Sequence, residues 1–103
     1  MTRDRLKEIR AEIDAIDDRI LELLNRRAKS AIEVGSIKKD RNLNVYVPER
    51  EVEILRRLTA VNEGPFPNDG LKAIYREIIS AATSALAVSR QRIEAHPSGE
   101  MTE

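Results

Sequence analysis

Residues 4 to 39 read DRLKEIRAEIDAIDDRILELLNRRAKSAIEVGSIKK. The stretch contains no proline, and its first glycine is Gly35. Leu6, Ile9, Ile13, Ile16, Ile20 and Leu23 recur at spacings of 3, 4, 3, 4 and 3, the heptad seam of a helix with one apolar edge. Charged residues fill most of the positions between. The pattern predicts a single helix from about Thr2 to Lys39 or Asp40. At 1.5 Å per residue it runs to roughly 55 Å, whereas a compact domain of this size has a radius of gyration of only about 13 Å. Such a helix cannot bury its seam against the rest of its own short chain. A partner chain is the simple solution.

Outward from this helix, Asp40-Arg41-Asn42-Leu43-Asn44 is a polar break. Val45-Tyr46-Val47 is extended by preference and precedes Pro48, which suits the first turn of a second helix, with Glu49 and Glu51 at its positive end. That helix is predicted over about Pro48–Asn62, with Val52, Leu55, Leu58 and Val61 on its apolar face. Glu63-Gly64-Pro65-Phe66-Pro67-Asn68 is a hard stop. Asn68 or Asp69 caps a third helix to about Glu94, its apolar face formed by Leu71, Ile74, Tyr75, Ile78, Ala81/Ala82, Ala85 and Val88/Ser89. The expected class is all-α, three helices per chain with a long first helix. Residues 1–94 form one helical domain, and residues 95–103 a polar, disordered tail.

Composition narrows the function. The 103 residues carry 18 Lys+Arg against 18 Asp+Glu, so no basic excess marks a general nucleic-acid or membrane-surface binder. There is no cysteine, which removes disulfides, zinc-thiolate sites and thiol nucleophiles. The single histidine, His96, lies in the tail, an unpromising place for histidine catalysis or a metal site. No apolar run approaches the ~20 residues of a membrane span, and charged residues rather than a signal core follow Met1. The expected compartment is the cytoplasm.

The seam does not stay apolar. Continued by sevens, Leu6, Ile13 and Ile20 lead to Arg27 and Val34; Ile9, Ile16 and Leu23 lead to Ser30 and Ile37. Lys38 lies in the flanking column with Arg10, Asp17, Leu24 and Ala31. Arg27 and Lys38 are 11 residues apart, so they share one face about 16.5 Å apart along the axis. Ser30, Ala31, Val34 and Gly35 leave room between them. Either these two cations snorkel to water or pair with acids, or they converge on a ligand of metabolite size. Arg50, in the first turn of the second helix, opposes the helix dipole, and a ligand is one reason for it; a solvated loop arginine is the other. Arg10 is too far from Arg27 to share a ligand within one chain. In an antiparallel pair of first helices, it approaches the partner's Arg27–Lys38 half.

These residues, in this order, resemble the all-helical chorismate mutase family, including mutase domains fused to prephenate dehydratase or to the first enzyme of the shikimate pathway. The likeness is carried by Ile9-Arg10-Ala11-Glu12-Ile13-Asp14-Ala15-Ile16-Asp17, Leu23-Leu24-Asn25-Arg26-Arg27-Ala28 and Glu33-Val34-Gly35-Ser36-Ile37-Lys38. It continues in Val45-Tyr46-Val47-Pro48-Glu49-Arg50-Glu51, Gly64-Pro65-Phe66-Pro67 and Ile74-Tyr75-Arg76-Glu77-Ile78-Ile79. The resemblance implies an intertwined homodimer whose two active sites are each completed by an arginine of the partner. It implies a pericyclic rearrangement of chorismate to prephenate that needs neither metal nor cofactor. It assigns Arg27, Arg50 and Arg10 of the partner chain to the substrate carboxylates, Lys38 to the ether oxygen and one carboxylate, and Glu51 to the ring hydroxyl.

The chain also departs from that pattern. Val47 stands where some members carry an aspartate. Ala82 and Leu86 stand where members often carry a serine and a Gln or Glu that bonds the ether oxygen. Thr83, one turn from Leu86, is a possible substitute. These departures keep other readings open: a weakly active or ligand-sensing regulatory domain, acting with a partner enzyme of the shikimate pathway, or an isochorismate-pyruvate lyase. A purely structural helical dimer leaves Arg27 and Lys38 without purpose.

Overall fold

The computed structural model describes residues 3–44 and 47–95, with side chains described over 4–44 and 47–84. The chain folds into three helices, α1 (Arg3–Asp40), α2 (Pro48–Val61) and α3 (Asn68–Ala95), with no strand among the described residues. The all-α class follows the expectation, and the helix ends fall within about one residue of the expected positions. Ala95, expected to begin the tail, is instead the last residue of α3; residues 96–103 of the predicted tail, with His96, lie outside the described residues, as do Val45 and Tyr46.

The 38-residue α1 gives the chain extents of 62 × 39 × 15 Å and a radius of gyration of 18.7 Å, well above the ~13 Å of a compact domain this long. α3 packs against both α1 and α2, whereas α1 and α2 do not pack on each other among the described residues. The seam of the first half of α1 is left uncovered. Its six residues range from 37% exposed at Ile9 to 58% at Ile16. The second half is partly covered: Gly35 is buried, and Arg27, Ala28, Ala31, Ile32 and Lys38 are half-buried.

Local chemistry explains how each helix ends. Asn42 adopts φ 58°, the left-handed conformation that closes a helix. The Leu43 amide donates to Lys38 O at 2.7 Å and the Asn42 amide to Lys39 O at 3.0 Å. This paired closure satisfies the last carbonyls of α1 and fixes the backbone at Lys38. Between α2 and α3, Asn62 is a clamp. Its Nδ2 donates to Phe66 O (2.8 Å) and to Asn68 Oδ1 (2.7 Å), and its Oδ1 accepts from Gly64 N (3.0 Å). Gly64 has φ 71°, where a side chain is strained.

Two expectations are corrected. On α2, Leu55 and Leu58 lie on the covered face as expected, but Val52 and Val61 do not. Val52 and Val61 are exposed, and Ile54, 6% exposed, is the buried hydrophobic side chain. The inward face runs through Glu51, Ile54, Leu55 and Leu58, turned toward the contact with α3. On α3, Ile74 is exposed and Ile79 shares the covered face with Leu71, Tyr75, Ile78 and Ala82. Asn68 is the first residue of α3, and its side-chain oxygen is taken by Asn62.

Candidate active site

Because α3 bridges α1 and α2 while those two stand apart, a cleft opens between all three helices. It contains a cavity of about 370 Å³, at the small end of ligand pockets, which run to about 300–1,000 Å³. α1 contributes Arg27, Ser30, Ala31, Val34 and Lys38. These positions follow one helical face over three turns, so the two cations stand at opposite ends of a wall made of small side chains. Val47, Arg50, Glu51 and Ile54 come from the start of α2, and Ile79, Ala82 and Thr83 from α3.

The structure thus brings together Arg27, Lys38, Arg50 and Glu51, and with them Val47, Ala82 and Thr83. The lining carries three cations against one carboxylate. That excess of positive charge, in a cleft whose other walls are largely apolar, suits a small anion with more than one acidic group. Arg27, Lys38 and Glu51 are half-buried, while Arg50 is exposed. Arg50 Nη1 donates to Glu53 Oε1 at 2.6 Å, an exposed pair one turn apart on α2. Thr83 Oγ1 donates to Ile79 O at 3.2 Å, so its proton is turned back onto its own helix.

Two of the expected residues are not in this group. Arg10 is exposed on the first half of α1 and does not line the cavity. Leu86 belongs to α3, but its side chain lies outside the described residues. Sequence reasoning missed Ile54 and Ile79 as cavity walls. The signal for Ile54 was its spacing of three from Glu51, which places an apolar residue one turn from the cavity acid.

The family model for chorismate mutase type II matches residues 9–85, a span that includes every described residue of the cavity. The chain belongs to the chorismate mutase type II family. Among its relatives, the bifunctional chorismate mutase/prephenate dehydratase of Aquifex aeolicus is 52% identical over 85 residues, covering 79% of this chain and 24% of that protein. The corresponding Neisseria gonorrhoeae protein is 42% identical over 96 residues, covering 91% of this chain and 25% of its own. This chain therefore spans about a quarter of these relatives' length. Among solved structures, chorismate mutase from Thermus thermophilus superposes with a TM-score of 0.76 at 36% identity, covering 78% of this chain and 91% of that one. Chorismate mutase from Helicobacter pylori in complex with prephenate gives 0.79 at 29% identity, covering 87% and 98%. In this chorismate mutase type II domain, Val47 and Ala82 stand in the cavity wall and face the same space as the cations.

Proposed function

We infer that this domain rearranges chorismate to prephenate. The observation that carries the inference is the convergence of Arg27, Lys38, Arg50 and Glu51 on one cavity in a chain of this family. The reaction is a pericyclic shift: one C–O bond breaks, one C–C bond forms, and no proton changes hands. Catalysis then consists of holding a flexible dicarboxylate in its reactive conformer and stabilising charge at the ether oxygen. Arg27 and Arg50 hold the carboxylates, each offering a planar fork that can bond a carboxylate through two N–H groups. Lys38 faces the ether oxygen and one carboxylate. Glu51 accepts the ring hydroxyl proton in a hydrogen bond. Val47, Ala82 and Ile79 add no charge and exclude water, which strengthens the field of the fixed cations.

The site is completed by a second copy of the chain. Six uncovered apolar residues along α1 call for a partner of the same length and pattern. Burying a Leu or Ile side chain contributes roughly 1.5–3 kcal/mol, so two such seams together favour an intertwined homodimer. Antiparallel first halves bring Arg10 of the partner chain toward the Arg27–Lys38 face, where it adds a third arginine to the carboxylate clamp.

The test follows chorismate loss and prephenate appearance with purified protein, alongside sedimentation at micromolar concentration. Turnover is expected from a species of about twice 11.7 kDa. A stable folded monomer overturns the shared site. Binding of prephenate without turnover of chorismate makes the domain a ligand sensor, and pyruvate release from isochorismate makes it a lyase.

A further inference from the structure

The cavity lining holds two hydroxyls that the clamp does not use, those of Ser30 and Thr83. Ser30 sits on α1 one turn after Arg27 and about two turns before Lys38, on the face that lines the cavity. In the heptad it occupies the column of Ile9, Ile16 and Leu23, where an apolar residue is the expected choice.

Helical hydroxyls can return their proton to a carbonyl one turn back; among the described helical residues three do so, whereas Ser30, Ser36 and Ser80 do not, and of these three only Ser30 lines the cavity. Thr59 donates to Leu55 O at 2.9 Å, Thr83 to Ile79 O at 3.2 Å and Ser84 to Ser80 O at 3.4 Å. Ser30 makes no such bond among the described residues, although the carbonyls of Arg26 and Arg27 are within its reach along the helix. The two hydroxyls of the cavity therefore differ. That of Thr83 has its proton engaged and offers lone pairs. That of Ser30 has a proton to give. Along the axis Ser30 stands about 4.5 Å from Arg27 and about 12 Å from Lys38, so its donor belongs to the arginine end.

We propose that Ser30 contacts the substrate directly, donating a hydrogen bond to the carboxylate that Arg27 holds. The proposal rests on the mutase assignment for the identity of that carboxylate. A short hydroxyl beside a long guanidinium is chemically useful: from the exposed α1 wall of the cleft it fixes one oxygen of the carboxylate while the arginine grips from the end. The contact is present before and during the rearrangement, because the carboxylate keeps its charge throughout. It therefore strengthens binding of substrate, transition state and product alike.

Ser30→Ala and Ser30→Thr in the full chain provide the test, with chorismate kinetics, calorimetric binding of prephenate and sedimentation read together. Alanine favours the helix, so folding is retained. Ser30→Ala is expected to raise KM and the prephenate Kd together by about three- to tenfold, with kcat within about twofold and the dimer intact. Ser30→Thr keeps a hydroxyl but turns its proton toward the helix, as Thr59 and Thr83 do, and is expected to fall between the parent and the alanine variant in both. Unchanged KM and Kd in the alanine variant overturn the contact. A fall in kcat at constant KM overturns the carboxylate assignment, since the donor then serves the breaking bond. A weakened dimer overturns it in favour of an interface role. A parent chain that binds prephenate without turning over chorismate removes the mutase assignment, and the Kd comparison still decides Ser30. A parent that binds neither overturns both.

Discussion

The two halves of α1 are one unbroken helix with opposite burial logic. Residues 6–23 present a stripe of leucine and isoleucine that the described residues leave exposed. Residues 27–38 present arginine and lysine on a continuation of that stripe, and these are half-buried. Apolar residues outside and cations inside is the reverse of the usual partition. It makes sense when the first half is an interface and the second half is one wall of an anion site. The continuity of the helix then has a function of its own. In the proposed dimer, this unbroken helix would couple the partner's grip on the seam to the spacing of Arg27 and Lys38, and would carry Arg10 toward the other copy.

The sharpest way to break this comparison is to make the first half resemble the second. Ile16→Asp places a carboxylate in the middle of the seam, twice per dimer. Each unpaired buried charge is strongly unfavourable, so dimer affinity is expected to fall by at least ~10³-fold, a loss of about 4 kcal/mol. Sedimentation and circular dichroism against concentration check it. An unchanged dimer shows that the seam is not the interface.

A charge removed from the second half should act differently. Arg27→Ala is expected to lower kcat/KM by about 10²–10³-fold while dimer and helix content hold, because the residue contributes little to the seam. Arg10→Ala should behave alike despite its place in the first half. Mixed in equal parts, the two inactive variants exchange subunits, and one site of each hybrid then has both arginines. Partial recovery of activity is the expected result. No recovery after confirmed exchange shows that Arg10 does not serve the partner's site.

The extent to which sequence foretold all this differs between the same regions. The seam is legible because 3–4 spacing over six residues has one interpretation. The three helix boundaries are legible because Asn42, Pro48 and the Gly64–Pro67 turn carry strong local preferences. The cavity cations are legible as anomalies, charges where apolar residues belong. The face of α2 was only half legible, in Leu55 and Leu58 but not in Val52 and Val61, because its apolar residues occur on two sides and the inward side begins with Glu51. Hydrophobic periodicity counts a carboxylate as outward, and here the carboxylate faces a cavity. Ser30 escaped for the same reason: a small polar residue on a seam reads as spacing, and its free proton shows only once the other hydroxyls' partners are known.

The smallest expected effect concerns the junction between the two kinds of surface, at Val47. It is the N-cap of α2, with φ −129° and ψ 93°, and no side chain caps the helix there. Pro48 supplies no amide proton and the Arg50 amide donates to Val47 O at 3.0 Å, which leaves first-turn donors without a side-chain acceptor. Val47 is also half-buried and lines the cavity, so a larger or charged cap disturbs the site as well as the helix. Threonine is isosteric with valine, keeps one methyl group against the wall and brings an oxygen within reach of the Glu49 and Arg50 amides. Val47→Thr is therefore expected to stabilise the fold by about 0.5–1 kcal/mol. For a domain of this size that is a Tm rise of about 2–8 °C, with KM for chorismate within about twofold. A higher Tm with unchanged KM means that Val47 serves only as wall, and that α2 tolerates an ordinary cap beside its anion site. A higher Tm with a clearly raised KM means that the first-turn amides themselves help to hold the ligand, and that the missing cap belongs with Arg27 and Lys38 rather than with the seam.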